Sequence, residues 1–221
     1  MSPAQVVAFD LDGTLVRGDC VARLLRASIR SNWLRLSLAL PLLPLLPLMR
    51  WSFLAAPLAR ALMWIATVGK PQDAWQAQLD LHVQSMRTER RRWVIAAALQ
   101  QLHQHIERGD RVLVVTGAFQ SLAEAIVSEV LDVHGVEVIG STVRWQGGAL
   151  RCVHHCFGRR KLDRLCAHGI DLPLAGAYSD SEHDFPLLRS ARTQFWVGRS
   201  EHLWRRARSR LPALQWIQAI D

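Results

Sequence analysis

Short unbroken apolar runs, rather than alternating ones, recur along this chain. Val6–Phe9, Val112–Val115, Val136–Ile139, Leu174–Tyr178 and Phe195–Val197 are each bounded by turn or polar residues. That is the pattern of strands buried on both faces of a parallel sheet. Between them the spacing becomes helical, at Leu122, Ala125, Ile126 and Val130 within Ser121–Leu131, and again over Arg159–His168. Pro71–Met86 and Thr88–Arg108 read as amphipathic helices, the second stopped by Gly109. Leu203 to Leu211 reads as core packing, and His103 and His105 fall on a solvated helix face. The alternation predicts an α/β fold: a Rossmann-like parallel sheet core built from residues 1–17 and 109–221, with an inserted helical, strongly apolar cap over 18–108.

The insert is the greasiest stretch of the chain. Leu36–Met49 holds eight leucines and three prolines in fourteen uncharged residues, and a second apolar arm follows Arg50. As one helix the first arm reaches only about 21 Å, against about 30 Å of bilayer hydrocarbon. Pro41, Pro44 and Pro47 also interrupt α-helical hydrogen bonding. The pattern predicts a re-entrant or interfacial hairpin over about 33–68 that dips into one leaflet. Trp33, Trp51 and Trp64 mark the headgroup level, and Arg30, Arg35, Arg60 and Lys70 meet anionic lipid. A buried helical cap or a dimer interface is the alternative, and the oligomeric state stays open.

Charge narrows the partners. Lys and Arg outnumber Asp and Glu by 27 to 19, a formal charge of +8, which favours an anionic partner. Basic residues cluster only in Arg87–Arg92 and Arg199–Arg210, with no nucleic-acid module and one tyrosine in the whole chain. Nucleic acid is therefore not expected, and an anionic membrane surface is. The four cysteines form no disulfide framework, as in a reducing compartment. The N-terminus lacks the basic start of a signal peptide and runs straight into the first strand. Cys152-Val153-His154-His155-Cys156 matches no standard zinc spacing. It reads as the return strand and loop after a hairpin turn at Trp145–Ala149.

Four fragments carry chemistry. Asp10-Leu11-Asp12-Gly13-Thr14 follows the first strand directly. Paired carboxylates at the carboxyl end of a buried strand repel one another and ask for a hard cation such as Mg²⁺. Thr116-Gly117 ends the second strand before a helix, a place where a hydroxyl and free N–H groups can hold phosphate. Lys161 and Lys70 are the two lysines in an otherwise arginine-based chain, and a compact ammonium suits one phosphate oxygen. Asp180 and Asp184 follow the strand Leu174–Tyr178, the first placed to complete a metal site and the second to orient Lys161 or a bound water. Each fragment alone has an ordinary explanation: a turn, a cap, a solvated lysine, an acidic first helical turn.

In this order they resemble the motifs of the haloacid dehalogenase-like phosphatases, in the early-cap, phosphoserine-phosphatase-like subfamily. The resemblance implies that Asp10 attacks phosphorus to form an aspartyl-phosphate and that Asp12 is general acid and base. It assigns Thr116, Gly117 and Lys161 to the phosphate, Asp184 to support, and Mg²⁺ to Asp10, the Asp12 backbone carbonyl and Asp180. The insert, Arg151-Cys152 through Lys161, and Tyr178–Ser181 followed by Asp184–Leu188 look like the phosphatidylglycerophosphatases of type C within that family. That likeness implies a phospholipid substrate, phosphatidylglycerophosphate hydrolysed to phosphatidylglycerol at the cytoplasmic face of the inner membrane. A soluble phosphatase for a small metabolite and a catalytically silent membrane-surface binding protein stand as the alternatives.

Overall fold

The computed structural model describes residues 5–50 and 52–219, and Trp51 lies outside the described residues. The central feature is a seven-stranded sheet in the order β4-β3-β2-β1-β5-β6-β7. Its strands are β1 (Val6–Phe9), β2 (Arg111–Phe119), β3 (Glu137–Gln146), β4 (Ala149–His154), β5 (Leu174–Ser179), β6 (Ala191–Gly198) and β7 (Gln215–Gln218). Every neighbouring pair is parallel except β3–β4. The five strands expected from apolar runs all lie in this sheet. The half-exposed β7 has no apolar run and escapes the pattern.

Period-two geometry sends neighbouring side chains to opposite faces. Val7, Phe9, Val112 and Val114 join one core cluster, while Ala8, Leu113 and Val115 join another. Both faces are covered, so these strands read as continuous runs. Three rings stack across adjacent strands: Phe9 on Tyr178 at 4.0 Å between centroids, and Tyr178 on Phe195 at 4.3 Å. Such pairs add roughly 0.5–1.5 kcal/mol each beyond area burial. Tyr178 ends in a polar chain, its hydroxyl 2.8 Å from His105 Nε2 while His105 Nδ1 lies 2.7 Å from Asp110 Oδ2. His105 is therefore not a solvated residue as its spacing suggested, whereas His103 is exposed.

Among the described residues, six α-helices lie between β1 and β2: α1 (Cys20–Arg30), α2 (Trp33–Ala39), α3 (Ser52–Thr67), α4 (Gln72–Thr88), α5 (Arg90–Trp93) and α6 (Ala96–Glu107). The helix expected over Thr88–Arg108 is broken at Val94. There Arg17 N–H donates to Trp93 O, Ile95 N–H donates to Leu15 O, and Val94 bridges Val16. Tertiary pairing with the loop after β1 outweighs helix propensity at that point. After β2 come α7 (Gln120–Ala125) and a wide π-type turn (Ile126–Val130), then α8 (Arg160–Ala167), α9 (Phe185–Arg189) and α10 (Glu201–Arg208). In α10, Ala207 is buried but Leu203 is 49% exposed, so its outer turn does not pack as a core face.

The apolar insert folds back on itself. Between α2 and α3 runs a 3₁₀ segment, Leu40–Arg50. Its prolines recur at every third residue, which matches three residues per 3₁₀ turn and tolerates the missing α-helical donors. Arg35 donates to Val68 O, and Ala39 shares a small core with Ile29, Ile65 and Ala66. The two arms are thus antiparallel. Lys70 turns inward: its ammonium bonds Ser28 Oγ and Gln78 Oε1, so it is not a lipid-facing charge. Among the described residues no helix is long and apolar enough to cross a membrane.

Candidate active site

Asp10 and Asp180 directly follow β1 and β5, and Thr116 lies within β2, in a sheet where β2, β1 and β5 are adjacent. Thr116-Gly117 does not end β2 as its sequence suggested: the strand runs on to Phe119, with its register to β3 shifted after Val115 because pairing resumes at Ser141. Asp10 N–H donates to Tyr178 O, which continues the β1–β5 ladder one residue past β1. The loop then tightens: Leu11 O accepts from the N–H groups of Leu15 and Val16, and Gly13 N–H donates to Val16 O. Gly13 sits at φ +82°, and a methyl group there would fall 2.1 Å from Asp180 Oδ2. Only glycine permits both that backbone and that approach. The space left by its missing side chain is what lets the β5 carboxylate sit against the β1 loop.

Lys161, in the first turn of α8, is buried between two acids. Its Nζ lies 2.5 Å from Asp10 Oδ1 and 2.6 Å from Asp184 Oδ2. Ser179 Oγ donates to the same Asp184 oxygen at 2.8 Å. Asp180 accepts from Thr14 Oγ1 at 3.3 Å. The Asp12 carboxylate turns toward the cap and accepts from Cys20 N–H at 2.9 Å. Thr116 Oγ1 accepts from Ala118 N–H at 3.0 Å, an interaction that does not use its own O–H. Beside it, Gln120 clamps the β3 end by donating to Val138 O and accepting from Gly140 N–H.

Burial dominates the electrostatics. It pushes the Asp10 carboxyl up to about 8, against the opposing pull of Lys161 and with Asp184 and Asp180 adding to the rise. Asp12 and Asp180 are each raised to about 6, again chiefly by burial. Lys161 is held more firmly protonated than an ordinary lysine, because Asp10 and Asp184 outweigh its own burial. One lysine faces several carboxylates here, so the pocket carries surplus negative charge.

That surplus tests whether a divalent cation suits these residues. Among the described residues no three His, Cys, Asp or Glu side chains converge as a ready ligand cluster. The side chains present are hard oxygen donors, Asp10 and Asp180, with Asp12 directed elsewhere by Cys20. Two carboxylates plus a backbone carbonyl and water fit Mg²⁺, which retains several waters in its octahedral shell. The residues fit the ion.

Several roles did not show in the pattern, although Thr14 and Ser179 belong to the motifs themselves. Ser179 and Thr14 orient the acids, and Cys20 fixes Asp12 from the start of the cap. Glu182 pairs with Arg206 at 2.9 Å and Arg210 at 2.8 Å, which ties the loop after β5 to α10. Phe157 lies against Gly117 and stacks on His155, with the His183 ring tilted against it at 5.1 Å. The Cys156 thiol lies on Ile139 O, inside the core.

A sequence comparison across residues 7–189 matches haloacid dehalogenase-like hydrolases. The chain belongs to the haloacid dehalogenase-like hydrolase family. Similar folds include a Bordetella pertussis Tohama I protein of unknown function, 19% identical over 98% of this chain and 100% of that one, with a TM-score of 0.68. A substrate-bound phosphoserine phosphatase complex is 16% identical over 89% and 87%, with a TM-score of 0.56. A phospho-aspartyl intermediate analogue of phosphoserine phosphatase is 14% identical over 92% and 90%, with a TM-score of 0.58. At these identities the likeness carries the fold of this haloacid dehalogenase-like hydrolase.

Proposed function

We propose that this hydrolase is a Mg²⁺-dependent phosphatase acting on a phosphate monoester carried by a membrane lipid, with phosphatidylglycerophosphate as the first substrate to test. The chemistry follows from the site. Asp10 Oδ attacks phosphorus while the ester oxygen leaves and takes a proton from Asp12, giving an aspartyl-phosphate. Asp12 then accepts a proton from the water that attacks the same phosphorus, and phosphate departs with Asp10 restored. A carboxyl raised to about 6 can both give and take that proton near neutral pH. Thr116 O–H, the Gly117 backbone N–H and the Lys161 ammonium hold the phosphoryl oxygens, while Asp184 and Ser179 hold Lys161 in place. Asp10, the Asp12 backbone carbonyl and Asp180 would hold Mg²⁺, which would supply charge neutralisation to the nucleophile and the phosphate.

The observation that carries the lipid reading is the face of the insert. Trp33 is 75% exposed, and Leu34, Leu38, Leu40 and Leu43 are each at least half exposed on one contiguous segment. A water-facing patch of this kind marks an interaction surface. Arg30 and Arg60 are exposed beside it, which favours an anionic bilayer over an apolar protein partner. Lipid phosphate cannot leave the bilayer cheaply, at about 0.8 kcal/mol per exposed CH₂, so its enzyme must dock at the interface. The active site then faces the cytoplasmic side of the inner membrane.

The likeness to phosphoserine phosphatase favours a second reading, a soluble small-metabolite phosphatase. Phosphate release from vesicles containing phosphatidylglycerophosphate, against phosphoserine and other soluble esters at matched concentration, separates the two. Preference for vesicles supports the lipid reading, and faster turnover of a soluble ester rejects it.

A further inference from the structure

A groove of about 510 Å³ runs between α3 and the β3–β4 hairpin. Its walls are Met63, Trp64, Leu150, Cys152 and Val153, with Arg60 and Arg151 among its lining and no acidic residue there. Met63 and Leu150 are buried, while Trp64 and Val153 remain 41% and 40% exposed, so the groove has a closed floor and an accessible side. The floor is built by hydrogen bonds between the two elements. Gly69 N–H donates to Gly148 O at 3.0 Å, and Leu150 N–H donates to Thr67 Oγ1 at 3.0 Å. The buried Thr67 hydroxyl in turn donates to Met63 O at 2.8 Å.

We propose that this groove binds the acyl-glycerol end of a phospholipid, with an acyl chain on the apolar floor and its phosphodiester beside Arg60 and Arg151. The inference rests on the lipid reading above and deepens it. Three observations favour this occupant. The size and mainly apolar lining, with a few polar groups, are those of a small-ligand site. Both charges in the lining are cationic, complementary to a diester phosphate and unfavourable to a cationic guest. The groove also shares α3 with the apolar insert, whose other arm carries the exposed leucines.

Its place relative to the site is also suitable. Val153, on the groove wall, is four positions from Phe157, which lies against Gly117. Four residues span at most about 14 Å. In this proposal a molecule anchored in the groove presents a second, monoester phosphate to Thr116 and Lys161.

The test uses dihexanoyl phosphatidylglycerol below its aggregation concentration, which has acyl chains and a diester but no monoester for the catalytic site. Titration calorimetry on the full chain should show saturable binding. Val153→Trp, which fills the groove, and Arg151→Ala should each weaken it at least tenfold, while Leu38→Ser, on the exposed face outside the groove, should change it less than twofold. No binding by the natural chain, or equal binding by both groove variants, overturns the proposal. Circular dichroism checks the fold, and if Val153→Trp does not fold, the exposed Arg151→Ala decides alone. Binding without turnover of any lipid monoester would retire the lipid-substrate reading and leave the groove standing. Lipid turnover without groove binding would retire the groove alone.

Discussion

The catalytic edge and the apolar insert depart from ordinary burial in opposite directions. At the edge, Asp10, Lys161 and Asp184 are almost wholly buried, each with a charged partner. In the insert, a tryptophan and a row of leucines stand in solvent, with only a small core between the arms. Burying charge costs several kcal/mol per ion unless it is paired, and exposing leucines forfeits about 1.5–3 kcal/mol per side chain. Neither arrangement arises from folding stability alone. The first is consistent with the proposed reacting centre, and the second with the proposed docking surface. In this chain, departures from a stable core are a guide to function.

Breaking the edge should have the largest effects. Asp10→Asn should cut phosphate release by on the order of 10⁴-fold or more with the circular dichroism spectrum unchanged. Unchanged release would mean that the carboxylate is not the nucleophile. Asp12→Asn should cost about 10²- to 10⁴-fold, the usual range for a lost general acid. Lys161→Met leaves Asp10 and Asp184 buried without their cation. Chemical denaturation should show a loss of about 3–5 kcal/mol.

The insert should respond differently. Replacing Trp33, Leu38 and Leu43 together by Ser should lower partition onto anionic vesicles at least tenfold, measured by sedimentation, with the melting temperature almost unmoved because these side chains are already exposed. A large drop in melting temperature would show that they pack in the fold rather than face a bilayer. The smallest effect is on pH. Asp10, Asp12 and Asp180 have carboxyls raised above their unfolded values by burial, so the folded state binds more protons than the unfolded one from about pH 4 upward. Metal-free stability should therefore be greatest near pH 4 and fall as pH rises through about 6 to 8. Mg²⁺ should reverse the fall, and thermal melts at pH 5 and pH 8 with and without the ion measure both.

Much of the edge was legible because its residues sit in or beside recognisable strands. Asp10, Thr116 and Asp180 each follow an apolar run that has nowhere to go but a buried sheet. Lys161 stood out by composition, in a chain that otherwise uses arginine. Thr14 and Ser179 stand inside the motifs, but which acid each one holds did not show, and Cys20 did not stand out at all. Ser179, Thr14 and Cys20 are common residues whose importance lies in which acid they reach across the fold. His105 looked solvated because helical spacing says nothing about a tyrosine seventy-three positions away. The break at Val94 was equally hidden, since its cause is the loop around Val16.

Local chemistry written along the chain was enough to decide the α/β class, the order of the reacting fragments and the unusual greasiness of the insert. Those depend on short-range periodicity and residue type, which any stretch carries with it. Tertiary structure alone decided that Gly13 makes room for Asp180, that Lys70 turns inward while Lys161 lies between two acids, and that α3 and a β-hairpin enclose a groove. Each of these is a distance between residues far apart in sequence, and such distances exist only once the core has closed.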